Sequence, residues 1–330
     1  MMNKTEKGNK FELDYHIDHN GEVMPFCSML GCFEQICYFE LRKVSDVNPW
    51  IYFCDNLNLG IENGNAHVMT TEVRDRYQKA ERWVIEENHF EKISSLIAQE
   101  GEVALRTAFN YVPNYTWSEE GKEGLHTAHM TYVIGEDADG YYIVDSPTNF
   151  LNIETIRHKD NPSIVKIPKQ NFAEAFEKYC EICKVRFSNL YEAEGEVDYL
   201  KEILKETVEW YHMEPEGDTV VGRKALLYML EQCDAGGVDL FLPFFMYYLM
   251  VSRRLLLKRG MNLCSSRIEN RGGAMEYLDR SIGYWTEIKE LSFAHLYDHK
   301  KVEGEVRGLM GPLMENEDRL MESLEKIIHE

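Results

Sequence analysis

The spacing of apolar and polar residues changes near residue 190. Before this point, short apolar runs separated by turn residues alternate with helical patterns. After it, apolar residues recur at three- and four-residue steps almost without interruption. The pattern therefore predicts two domains, an α+β domain over residues 1–190 and an all-helical domain over residues 191–330, which a chain of 330 residues easily accommodates.

Individual elements follow from the same periodicities. In the first domain, a polar tail precedes a predicted helix from Cys27 to about Leu41, and residues 58–65 are interpreted as a loop rich in glycine and asparagine. The other predicted elements there are strands over 80–87, 103–109, 126–135 and 141–145 and helices over 89–100 and 169–179. The second domain has predicted helices over 197–211, 222–232, 239–258, 274–290 and 309–329.

Three side chains with catalytic potential stand at the ends of predicted elements. Cys27 opens the first helix, His129 lies near the start of one strand, and Asp145 closes the next. A helix N-terminus and an imidazole both favour the reactive thiolate, and a carboxylate can hold the imidazole in the required orientation. Because Asp139-Gly140 predicts a hairpin between the two strands, Asp145 is expected to return beside His129.

Further residues fit supporting roles at such a site. The backbone N–H of Cys27 and the side-chain amide of Asn20 are the candidate oxyanion donors. The aromatic residues Tyr111, Tyr115 and Trp117 are candidates for sheltering an acyl chain, and they equally fit a packed surface loop. His126 is an alternative base.

The bulk composition narrows the classes of function. A net charge of −21 argues against binding to nucleic acid or to an anionic membrane surface, and it is compatible with a cationic amine substrate. Eight cysteines without a predicted secretion signal suggest reduced thiols, and no apolar run reaches the length of a membrane span. We therefore expect a cytoplasmic protein that needs no metal and no cofactor of its own.

Two other motifs carry weaker hypotheses. Cys180 and Cys183 have the spacing of half a zinc site, but a second close pair of ligands is missing from the sequence. The basic run from Arg253 to Arg259 either docks the phosphate of a phosphopantetheine arm or simply places cations at a helix C-terminus.

The segments around Cys27, His129 and Val144-Asp145-Ser146-Pro147 together resemble the papain-like cysteine-peptidase domain of the butirosin acyltransferase family, which is related to bacteriocin leader peptidases. Gly222–Leu226 and Arg271–Trp285 resemble that family's helical domain, whereas Ser28 replaces its usual glycine after the cysteine. The resemblance implies a papain-like fold, with the N-terminal helix packed on an antiparallel sheet. It also implies transfer of an acyl group from a carrier-protein thioester to an amine.

A narrower likeness, to the amide-forming cysteine-protease homologues of closthioamide biosynthesis, implies a thioamide-bearing acyl donor and diaminopropane as the acceptor. The leading hypothesis is therefore a cysteine-dependent acyltransferase with an acyl or peptidyl carrier protein as partner. Phosphopantetheine would enter only as part of the substrate. A peptidase or amidase with the same triad and a non-catalytic binding module remain alternatives, and helical patterning does not distinguish a monomer from a homodimer.

Overall fold

The computed structural model describes residues 50–69, 73, 78–113, 128–144, 164–187, 195–240, 242, 249–269 and 271–330. It has a mixed α/β architecture with antiparallel sheets, and it divides into two units. The first unit draws its described residues from Gln78–Ser188, and the second from Asp46–Tyr77 and Asn189–Glu330. The predicted helix over residues 27–41 lies outside the described residues.

Nine strands and seven α-helices occur among the described residues. The strands are β1 (Leu59–Glu62), β2 (Asn65–Val68), β3 (Gln78–Val84), β4 (Val103–Ala108), β5 (Ala128–Glu136), β6 (Gly140–Val144), β7 (Ile164–Pro168), β8 (Cys180–Phe187) and β9 (Thr219–Val221). The helices are α1 (His89–Glu100), α2 (Ala173–Lys178), α3 (Glu196–Tyr211), α4 (Gly222–Ala235), α5 (Leu249–Leu263), α6 (Arg271–Asp298) and α7 (Glu303–Ile328).

The first unit is organised around a six-stranded antiparallel sheet with the order β3-β8-β4-β5-β6-β7. Its central strands are buried on both faces. Leu105 and Val133 point to one face, Ala104 and Tyr132 point to the other, and all four are at most 4% exposed. Because strand pairing satisfies the backbone, these strands tolerate nearly complete removal from water.

Helices α1 and α2 pack on one face of this sheet. Ile93 and Ile97, one turn apart on α1, are buried against the sheet. The ring of Phe176 on α2 stacks on that of Phe172, which directly precedes this helix. Helix α1 ends at Gly101, whose positive φ lets its backbone N–H bond to the carbonyl of Ile97. These contacts form an apolar core among the described residues of the first unit.

The predicted helix over 89–100 and four of the predicted strands of this unit are confirmed. Helix α1 has the predicted bounds, and the strands expected over 80–87, 103–109, 126–135 and 141–145 correspond to β3, β4, β5 and β6. Strands β7 and β8 were not predicted. In β8 the apolar positions shift by one residue between Ile182 and Cys183, which interrupts the alternation expected of a strand.

In the second unit, α7 packs against α3, α4 and α6, and α5 packs against α6. Helix α7 begins at Glu303, before the predicted residue 309, and Gly304 and Gly308 lower the helix propensity of the part that the prediction leaves out. The apolar face of α7 supplies buried residues along its whole length. It is therefore a central element of this helical assembly.

The prediction that the second domain is entirely helical is wrong. A three-stranded antiparallel sheet with the order β2-β1-β9 belongs to this unit, and residues 58–65 form most of a hairpin instead of a loop. Asn63 and Gly64 both have positive φ at its two-residue turn, which is the geometry that Asn-Gly favours. The polar composition of this stretch therefore reflects its turn.

A buried ion pair crosses the helical unit. Arg254 of α5 donates from Nη2 to Oε1 of Glu317 on α7 at 2.9 Å, and both side chains are 2% exposed. Ser281 and Trp285 of α6 also donate to Glu317, and the Arg254 guanidinium lies 5.3 Å from the centre of the Trp285 ring. The cluster links three helices through a charge that cannot be solvated.

We expect loss of one partner from this cluster to destabilise the protein strongly. Glu317→Ala leaves Arg254 buried without its counter-charge and should lower the free energy of unfolding by about 3 to 5 kcal/mol. Urea denaturation monitored by circular dichroism measures the effect. The exposed Arg319–Glu322 pair on the same helix supplies the control, because Glu322→Ala should cost less than about 1 kcal/mol. Similar losses in the two variants would contradict the assigned role of burial.

Helix α5 lies in close contact with the segment that precedes β1. A Cβ atom on Gly260 would lie 2.5 Å from Sγ of the fully buried Cys54. Gly260→Ala should therefore destabilise the protein by about 1 to 3 kcal/mol, despite the better helix propensity of alanine.

The matched control is Gly283→Ala on α6, where a Cβ would have no neighbour within 4 Å. This change should stabilise the protein by up to about 1 kcal/mol. Adding Cys54→Ala to the Gly260 variant should recover part of the loss. A Gly260→Ala protein as stable as the wild type would show that Cys54 moves aside freely.

Candidate active site

The predicted site residues fall largely outside the described part of the chain. Five of them and the alternative base His126 lie outside the described residues; the five are Cys27, Asn20, Asp145, Tyr115 and Trp117. His129 is the second residue of β5, where its backbone position is defined. Tyr111 ends a short 3-10 helix that follows β4 directly. The structure therefore bears on the site through the sheet that carries His129.

Strand pairing gathers several chain segments at one edge of this sheet. The end of β4 at Ala108 pairs with the start of β5 at Ala128, and the end of β6 at Val144 pairs with the start of β7 at Ile164. The start of β8 at Cys180 also reaches this edge, opposite Thr107. We call it the candidate-site edge.

The β5–β6 hairpin is confirmed, with a register that differs slightly from the expected one. Val144 lies opposite Tyr132, and an irregularity occurs between Val133 and Gly135. Val144, the last residue of β6, therefore lies opposite Tyr132, which is three positions after His129. The hairpin brings the chain that precedes Asp145 to the edge where β5 begins, but pairing does not continue to His129 among the described residues.

The backbone partner of His129 on β4 is Thr107. Thr107 is completely buried, and its Oγ1 lies 2.5 Å from the carbonyl oxygen of Tyr179 and 3.2 Å from that of Ala175. These contacts attach the C-terminal end of α2 to the end of β4. Strand pairing thus places Cys180, Thr107 and His129 in one row at the candidate-site edge.

Polar and aromatic side chains surround this row. The carboxylate of Glu181 accepts hydrogen bonds from Arg106 at 3.2 Å and from the Tyr179 hydroxyl at 2.7 Å. Partial burial and the bond to Glu181 raise the pKa of Tyr179, so it remains a neutral donor. The ammonium group of Lys178 lies 5.4 Å from the centre of the Tyr111 ring. Tyr111 thus lies at the candidate-site edge, with Lys178 as a cationic neighbour.

The five described cysteines are poor nucleophiles. All five are buried free thiols: Cys54, Cys180, Cys183, Cys233 and Cys264. Burial raises the pKa of Cys180 to about 12 and is the largest of several influences that raise the pKa of Cys233 and Cys264 to about 11. It also raises the pKa of Cys54 and Cys183. Because the thiolate is the reactive form, these five sulfur atoms are nearly inert at neutral pH.

The geometry of β8 does not support a metal half-site at Cys180 and Cys183. Residues three apart on a strand point to opposite faces of the sheet, so the two sulfur atoms cannot readily bind the same ion. Across the described ranges, groups of three or more histidine, cysteine or acidic residues with metal-binding geometry are absent.

The basic run on α5 is occupied by contacts within the second unit. Arg253 pairs with the buried Asp55 and donates to two backbone carbonyls, while Arg254 pairs with Glu317. Lys258 pairs with Asp279, and the Arg259 guanidinium lies 3.8 Å from the centre of the Trp50 ring. The run also lies within the helix instead of at its end, so its cations act mainly in packing.

Sequence reasoning missed Glu317, Ser281 and Trp285, which form the most buried polar cluster of the described helices. Each lies on a helix with ordinary amphipathic spacing, and only the tertiary packing shows that they meet. Because the cluster is closed to solvent and its donors are engaged, it is a structural feature.

A scan of the chain against models of known protein families finds no match, and a search of curated proteins finds no significant match. Any assignment of chemistry therefore depends on the residues themselves and on the geometry of the candidate-site edge. Among the described helices, none is both long and apolar enough to cross a membrane.

The β5–β6 turn offers a test of how the hairpin is held. The Asp137 carboxylate accepts bonds from Lys166, from the Tyr142 hydroxyl and from the backbone N–H groups of Asp139 and Gly140. Desolvation alone would raise the pKa of Asp137, but these donors hold it well below its usual range.

Because the folded-state pKa is lowered, the stabilisation by Asp137 is complete above its unfolded-state pKa, near 3.8. It is lost as the pH falls from there through the folded-state value. Asp137→Asn should lower the free energy of unfolding by about 1 to 3 kcal/mol at neutral pH, with a smaller difference near pH 3. Urea denaturation at both pH values measures this. Asp139→Asn, an exposed neighbour, should have little effect, and an equal loss there would refute the assignment.

Proposed function

We propose that this protein is a cysteine-dependent acyltransferase whose first unit has a papain-like fold and that Cys27, His129 and Asp145 form its triad. The observation that carries the proposal is the candidate-site edge, where β5 begins with Ala128-His129 and β6 ends immediately before Asp145. An antiparallel sheet with helices on one face supports the fold assignment. A histidine and an orienting carboxylate on neighbouring strands are the arrangement that thiol activation needs.

The buried thiols support Cys27 as the nucleophile by elimination. Five of the eight cysteines are buried with raised thiol pKa values, which leaves Cys27, Cys32 and Cys37 as candidates. Of these three, Cys27 is the one predicted to open a helix, where the helix dipole stabilises a thiolate. Cys32 and Cys37 follow within the same predicted helix.

The proposed reaction has two half-reactions. His129 removes the proton of the Cys27 thiol, and the sulfur attacks the carbonyl carbon of a carrier-bound thioester. The oxyanion is held by the Cys27 backbone N–H and Asn20. The intermediate then expels the phosphopantetheine thiolate, which takes the proton from His129, and leaves an S-acyl enzyme.

An amine completes the cycle by attacking the new thioester. His129 takes a proton from the attacking nitrogen, the C–N bond forms, and the Cys27 sulfur departs to regenerate the enzyme. Asp145 orients His129 in both halves, and Tyr111, Tyr115 and Trp117 shelter the acyl chain from water. The energy of the thioester drives amide formation, so no nucleotide is consumed. The net charge of −21 favours a cationic acceptor such as diaminopropane.

Intact-mass spectrometry tests the intermediate. We expect wild-type protein mixed with an acyl-loaded carrier to gain the mass of one acyl group, and Cys27→Ala to gain none. The matched control Cys233→Ala should acylate normally, because its buried thiol has a raised pKa. His129→Ala should slow acylation by about 10²- to 10⁴-fold. An unmodified wild type, or undiminished acylation of Cys27→Ala, would reject the proposal.

Product analysis distinguishes the competing reactions of the same site. With diaminopropane present, amide product should exceed hydrolysed acid. If hydrolysis dominates and peptides are cleaved at comparable rates, the protein is a peptidase or amidase. Iodoacetamide labelling near neutral pH followed by peptide mapping gives an independent check. Cys27 should react first, and this preference should vanish in His129→Ala.

A further inference from the structure

A histidine in the second unit makes two hydrogen bonds that both require it to donate. His295 lies in the last turn of α6. Its Nε2 is 2.6 Å from Oδ1 of Asp239, and its Nδ1 is 3.0 Å from the backbone carbonyl oxygen of Lys300. A carboxylate and a carbonyl oxygen are both acceptors, and a neutral imidazole carries a single N–H. Both bonds therefore exist together only when the ring is doubly protonated.

These bonds connect separate parts of the helical unit. Asp239 belongs to the 3-10 turn Val238–Leu240, which follows α4. Lys300 belongs to the turn between α6 and α7, where its backbone N–H also bonds to the carbonyl of Ala294. The preceding residue, His299, has a positive φ of 52°, so the chain reverses sharply at this point. His295 thus fastens the α6–α7 turn to the 3-10 turn beyond α4.

We propose that His295, Asp239 and the Lys300 carbonyl form a pH-sensitive latch, closed when His295 is an imidazolium and open when it is neutral. Loss of either ring proton removes one of the two bonds. The Asp239 carboxylate is 77% exposed, whereas the His295 side chain is 17% exposed, so water can take over the carboxylate when the latch opens. The proposal concerns residues outside the triad and is independent of the proposed reaction.

The charged groups around the ring favour the closed form near neutral pH. The bonds to Asp239 and to the Lys300 carbonyl raise the pKa of His295, and the nearby carboxylate of Glu303 on α7 adds to the effect. The Lys300 ammonium is directed to Asp298, at 3.3 Å. The C-terminal end of α6 also favours a cation. Because the folded-state pKa is raised, the latch contributes its full stabilisation below the unfolded-state pKa and loses it as the pH rises through the folded-state value.

Opening should be local. Arg307 of α7 pairs with Asp234 of α4 close to the same turns, through a contact in which His295 takes no part. Helices α4 and α7 therefore remain attached while the two turns loosen.

Hydrogen exchange on the intact protein tests the latch. After correction for the intrinsic pH dependence of exchange, peptides covering residues 236–240 and 295–301 should lose protection by about three- to tenfold between about pH 6 and pH 9. Asp239→Asn, an exposed substitution, should show low protection with little pH dependence, as should His295→Gln. The neighbouring His299→Gln should behave like the wild type.

The ring ¹⁵N signals of His295, assigned by comparison with His295→Gln, give the second readout. Two protonated nitrogens near pH 6 are expected, with conversion to the neutral ring over the pH range in which protection falls. A neutral His295 near pH 6, pH-independent protection in the wild type, or equal effects of His295→Gln and His299→Gln would each overturn the proposal.

Discussion

The pairing of β5 with its two neighbours is the constraint on which the candidate chemistry depends. Antiparallel register is strongly specified wherever side chains are buried, because a slip of one residue would turn an entire strand inside out. With Thr107 opposite His129 and Tyr132 opposite Val144, the start of β5 and the end of β6 must meet the same edge of the sheet. Burial of Leu105 and Val133 fixes this register. The apolar core of the first unit therefore determines where the polar ends of its strands lie.

The helical unit is organised by a different interaction. The buried pair of Arg254 and Glu317 connects α5 to α7, and Ser281 and Trp285 complete it from α6. Such a pair adds little net stability over a well-packed apolar contact, but each charge requires its partner once it is buried. It can therefore specify how the three helices meet. Contacts within this unit also engage Arg253 and Arg254, which the sequence suggested as possible phosphate-binding residues.

Burial also lowers the reactivity of the described thiols. Thiols such as Cys54 and Cys180 are removed from water, and their raised pKa values suppress the thiolate. For two side chains nearer the surface, hydrogen bonds instead favour the charged form. The donors around Asp137 favour its anion, and the acceptors around His295 favour its cation. In both cases the protonation state is coupled to the structure of a turn.

The sequence by itself determined the elements whose periodicity is uninterrupted. The apolar spacing of His89–Glu100 and the Asp139-Gly140 turn between two β-rich runs are local signals, and the corresponding helix and hairpin have nearly the expected bounds. It also placed Cys27, His129 and Asp145 at the ends of predicted elements, which is where their proposed role comes from. Tertiary structure alone decided the order of the six strands, the pairing of Thr107 with His129, the assignment of the Asn63-Gly64 hairpin to the helical unit, and the meeting of Arg254 with Glu317. These contacts join residues far apart along the chain, and their energy comes from shared burial and charge pairing that appear only after the elements have packed together.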